Sequence, residues 1–137
     1  MNRLLVFCLV AVVGCASEDP ALSTPEGKWG YATPDGKIAV TFEVTKISDN
    51  VFDIKNQTMK INDVSANAEK EVVGFTSTAI EKIRINANDS KAVYPYNIVF
   101  NNATVSSDFK KISVPTTTYT YPWGTTVSLS GITIERL

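Results

Sequence analysis

The sequence predicts an all-β fold, a single antiparallel domain of about nine or ten strands. Three observations carry this. In "KIAVTFEVTKI", Ile38, Val40, Phe42 and Val44 alternate with Ala39, Thr41, Glu43 and Thr45, which gives one apolar and one wet face. Turn-forming residues punctuate the chain at short intervals, as in Pro34-Asp35-Gly36. No segment after residue 26 sustains a helical period, and "SANAEKE" (65–71) offers one helical turn at most.

Taken in order, the first strand starts at Gly27-Lys28-Trp29 and ends at the Pro34-Asp35-Gly36 turn, where Pro presets φ and Gly accepts φ > 0. Ser48-Asp49-Asn50 closes the long strand from Ile38, and Asn101-Asn102 is a further turn candidate. Between them lie β-rich runs at 51–55, 58–64, 71–77, 80–86 and 93–100, followed by "FKKISV" and "TTYTY". The last strand covers 126–136. Val127 and Leu129 share one parity there and Ile132 and Ile134 the other, so Gly131 at the switch marks a bulge. "NQTM" (56–59) and "NATV" (102–105) echo each other faintly. Short strands joined by short turns suit either an immunoglobulin-like β-sandwich or a closed up-and-down barrel.

The chain contains no histidine, and its only cysteines are Cys8 and Cys15. This excludes Ser-His-Asp and Cys-His catalysis, His-ligated zinc and, beyond residue 15, thiol redox chemistry. The net charge of −1 comes without any basic run, so there is no track for nucleic-acid phosphates. No glycine-rich phosphate loop or EF-hand spacing occurs, and "NANDSK" (86–91) reads as a polar hairpin turn. The carboxylates fall in turns or at outward strand positions and nominate no acid/base pair. No catalytic residue, metal site or cofactor is expected. Asn56, Asn88 and Asn102 begin Asn-x-Ser/Thr triplets, which matter only in a glycosylating host.

The most distinctive stretch is "TTTYTYPWGTT" (116–126). Tyr119, Tyr121 and Trp123 recur with period two, so an extended chain presents all three on one side. Pro122 restricts the segment to an edge or a loop tip. Such a row can stack on a sugar ring or grip a protein. Alternatively Tyr119 and Tyr121 face the core and only Trp123, beside Pro and Gly, is exposed. Tyr94 and Tyr96 share parity with Ile98 and Phe100, which places them in the core.

The N-terminus carries an address. Arg3 precedes an apolar run, Leu4 to Val13, of about ten residues, too short to cross a bilayer as a helix. Val12-Val13-Gly14-Cys15 resembles the lipobox of bacterial lipoproteins. The resemblance implies cleavage before Cys15 and lipid attachment to it. Residues 1–14 are then a signal peptide, 15–25 a lipidated tether and 26–137 the β domain. Ser17-Glu18-Asp19 resembles the short acidic tag of Bacteroidota-type surface lipoproteins, which implies the outer membrane and exposure at the cell surface.

Gly27-Lys28-Trp29 resembles the opening of the calycins, the lipocalin and streptavidin group of up-and-down barrels. In lipocalins a late arginine lies across that tryptophan and closes the barrel floor, a part that falls to Arg136 here. Two functions are therefore expected. One is a lipid-anchored, non-catalytic envelope module that binds a glycan or a protein partner through Tyr119, Tyr121 and Trp123. The alternative is a calycin-like carrier of a small apolar ligand.

Overall fold

A computed structural model describes residues 21–61, 64–87, 96–121 and 123–137. Cys15, the Ser17-Glu18-Asp19 tag, Asn88, Tyr94 and Pro122 lie outside the described residues. Eight strands follow in order: β1 (Gly27–Ala32), β2 (Ile38–Ser48), β3 (Val51–Ile61), β4 (Val64–Phe75), β5 (Ala79–Ala87), β6 (Tyr96–Val105), β7 (Lys111–Thr120) and β8 (Thr126–Arg136). Each pairs antiparallel with the next, and β8 returns to β1, so one sheet closes into a barrel.

This decides between the two architectures: the described residues form one barrel and no second sheet. Every strand neighbours its successor, so the connections are local hairpins without the crossings of a Greek-key sandwich. Among the described residues the strand count is eight where nine or ten were expected, because two elements continue through apparent breaks. Residues 51–61 form a single strand around Asn56, which takes φ 52° at a register shift between Thr41 and Glu43 of β2. "FKKISV" and "TTYTY" join in β7 across Pro115. Residues 65–71 belong to β4 and make no helical turn, and Asn101-Asn102 lies within β6 and makes no chain reversal.

The break at Gly131 belongs to a wider feature. The registers set Gly74 of β4 opposite Glu81 of β5, then Asn102 of β6, Pro115 of β7 and Gly131 of β8, as a continuous row. Gly74, Asn102 and Gly131 have φ of 60°, 53° and 69°. Along this crease the inward face changes parity. Phe100 gives way to Ala103, Thr117 to Val114, and Leu129 to Ile132. Neighbouring strands switch together, so register survives and no residue is left over; the expected bulge at Gly131 is one end of a shared fold line. Pro115 costs little there, because the ladder is already interrupted.

The barrel interior is filled. Trp29, Ile54, Met59, Ile83, Tyr96, Phe100 and Ile134 are all fully buried and belong to one apolar cluster. Two seams are less complete. β3 and β4 pair only between 58–61 and 64–67, and below that Lys70 bonds Asp53 and the Ile54 carbonyl across the gap. β1 and β8 share only Trp29↔Arg136 and Gly30↔Glu135, so among the described residues β8 from Thr126 to Gly131 has no strand beside it on that side.

Candidate functional site

The strand directions sort the turns into two ends. The chain enters β1 at one end, where β8 finishes and the 49–50, 76–78 and 106–110 turns lie; the β1–β2 and β7–β8 turns lie at the other.

The entry end is a closed floor. The Arg136 guanidinium carbon sits 4.8 Å from the centre of the Trp29 ring. Its Nε donates to the Phe109 carbonyl at 2.7 Å, and its two terminal nitrogens donate to the Glu26 and Thr24 carbonyls. Trp29 Nε1 donates to the Pro25 carbonyl at 2.8 Å. A Cβ on Gly27 would collide with the Arg136 guanidinium, and this explains the glycine two residues before the tryptophan. The contact expected between Arg136 and Trp29 is present.

The opposite end carries the aromatic row. β7 delivers Tyr119 into the barrel, 7% exposed. The strand ends at Thr120, and a tight turn follows in which the Gly124 N–H donates to the Tyr121 carbonyl at 2.9 Å. Gly124, at φ 96°, supplies the reversal. Tyr121 meets Tyr119 edge-on, with centroids 5.2 Å apart at 82°. Trp123 stacks flat on Tyr121 at 4.5 Å and 7°. Trp123 is 56% exposed, so a large face remains open to solvent. The three rings are contiguous, as the spacing predicts, but a turn rather than an extended strand brings Trp123 alongside. Tyr121 is half-buried, between the core and surface alternatives. Tyr96 is in the core.

The β1–β2 turn forms the other wall. A cleft of about 310 Å³ lies between Tyr119 and Tyr121 on one side and Thr33, Asp35 and Lys37 on the other. Asp35 Oδ1 accepts from the Thr33 hydroxyl at 2.7 Å and from the Lys37 N–H at 3.0 Å. Those bonds, the backbone one foremost, hold the Asp35 carboxyl below the usual carboxylate range. The Tyr119 phenol is pushed up to about 12, chiefly by its hydrogen bond with Tyr121 and next by burial. Burial, then the Asp35 charge, raises Tyr31 also. At neutral pH the site therefore combines neutral phenols, an open indole face and one fixed carboxylate. That suits stacking and hydrogen bonding. Among the described residues no group of His, Cys, Asp or Glu is arranged to hold a metal.

Tyr31 and Asp35 are the neighbours that sequence reasoning missed. Tyr31 shares the inward parity of Trp29, and Thr33-x-Asp35 is an Asx-type turn, so both signals were present without anything to say which strand they would face. No family model, curated protein or solved structure matches the chain.

Proposed function

We propose that this chain is an outer-membrane lipoprotein, anchored through Cys15, whose barrel is a non-catalytic binding module for a glycan or a protein partner. The observation that carries the reading is the Tyr121–Trp123 stack, open to solvent at the end away from the tether. An indole half covered by a tyrosine and half bare is a rigid apolar platform held at little entropic cost. Asp35 supplies a charged hydrogen-bond acceptor beside it.

A calycin-like carrier is the second reading, favoured by the Arg136–Trp29 floor. The filled interior weighs against it, since a carried ligand needs the axis that Tyr96, Phe100 and Ile54 occupy.

Trp29 is buried and Trp123 exposed, so ligand-induced changes in accessible tryptophan fluorescence report on Trp123. In titrations with soluble oligosaccharides and envelope extracts, Trp123→Ala is expected to weaken capture about tenfold or more while leaving the melting temperature nearly unchanged. Undiminished capture by the variant refutes the platform. Stoichiometric uptake of a fluorescent fatty acid, indifferent to Trp123→Ala, moves the assignment to the carrier.

A further inference from the structure

The upper stretch of β8, Thr126–Gly131, is an unpaired strand edge of unusual composition. The Tyr121 N–H donates to the Thr125 carbonyl, which makes 121/125 a hydrogen-bonded pair. The antiparallel ladder alternates, so 119/127 and 117/129 bond likewise, and Thr126, Ser128 and Ser130 turn their N–H and C=O groups away from β7. Beyond β1's two pairs with β8, no described strand receives them. Protein edges of this kind are ordinarily blunted by a lysine, a proline or an inward charge. "TVSLSG" has none. Its inward residues Val127 and Leu129 are only half-buried, and its outward residues are hydroxylated.

From this edge we infer that a second copy of the chain pairs along it. An open row of alternating donors and acceptors is matched group for group by another extended backbone. The segment is complementary to itself. Directly opposed residues in an antiparallel pair share a face, so a two-fold axis must pass through a residue. With Ser128 on the axis, Val127 lies opposite Leu129 of the second copy and Thr126 opposite Ser130. Apolar then meets apolar on the inner face, hydroxyl meets hydroxyl on the outer, and no charges of like sign meet. The axis inverts one barrel relative to the other, so their tethers leave from opposite ends. For chains anchored as proposed above, the contact joins facing surfaces rather than neighbours in one membrane. The pairing itself does not depend on the anchor.

The test is the mass of the purified full chain in detergent, measured by light scattering at about 0.1 mM, a concentration at which even a weak pair forms. The expected result is a dimer. Ser128→Pro, which removes an edge-facing N–H and leaves the β7 ladder intact, should give a monomer. If that variant melts early, Ser128→Lys keeps the N–H and sets two charges against each other across the axis; it should also be monomeric. Register is read by cross-linking against the background of Cys8 and Cys15: Ser128→Cys should form a disulfide dimer on mild oxidation, and Thr126→Cys, opposed by Ser130, should not. A monomeric parent chain, a dimer that survives Ser128→Lys, or equal cross-linking at 126 and 128 each overturns the proposal.

Discussion

Tyr119 shows how one side chain links the core to the candidate site. Its ring is buried in the barrel while its hydroxyl bonds that of Tyr121 at 3.5 Å. Its phenol ionises at about 12 in the folded chain and near 10 when unfolded. The raised value contributes stability that is fully present below about pH 10 and lost as pH rises toward 12, because the unfolded chain releases its proton first. Tyr119→Phe is therefore expected to flatten the alkaline decline of the urea midpoint between pH 10 and 12, leaving the smaller slope due to Tyr31. An unchanged slope would mean that Tyr119 titrates normally. At this scale the sequence was partly legible. Parity placed Tyr119 inward and put Thr117 on the same side, but nothing in the "TTTYTY" run showed that this threonine would be fully buried with a hydroxyl that finds no hydrogen-bond partner.

Strand-level reading succeeded where alternation was uninterrupted, as in β2, and across Gly131 in β8, but it broke the chain at Asn56 and Asn102, which enter the left-handed region mid-strand. Asn56 and Asn102, the two positions of the faint "NQTM"/"NATV" echo, adopt φ of 52° and 53°. Asparagine is among the few residues that tolerate this, and it also signals turns, so the sequence could not separate a reversal from a crease. The 106–110 turn was hidden for a different reason. Ser106, Asp108 and Lys110 repeat the bonding of Thr33, Asp35 and Lys37, but Phe109, at φ 57°, stands where the other turn has Gly36. Gly131 tests the crease directly. No atom lies within 4 Å of where its Cβ would be, so steric crowding is not at issue. Gly131→Ala is nevertheless expected to cost about 1–2 kcal/mol in denaturant unfolding, through backbone strain alone. Gly131→Asn should cost less, and a neutral alanine would show that the left-handed geometry is dispensable.

For the molecule as a whole, the all-β class and the Arg136–Trp29 contact were legible, whereas closure into one barrel was not, because hairpin spacing is common to barrels and sandwiches. The anchor reading has its own test. Lipid chains contribute about 0.8 kcal/mol per buried CH₂, so acylation at Cys15 would hold the chain in a bilayer. Cys15→Ser is expected to leave an uncleaved or soluble form, and mature protein still fractionating with outer membranes would refute the lipobox. The floor has a consequence for the order of events at birth. Every other strand pairing joins sequence neighbours, yet Arg136 must reach back to Glu26, 110 positions earlier. A chain that emerges from its N-terminus can form hairpin after hairpin while Trp29 waits without its cation. Local pairing is quick, and the longest loop closes at the highest entropic cost. The barrel therefore locks only after β8 has been made, and a chain stalled short of Arg136 presents an open sheet to whatever quality control it meets.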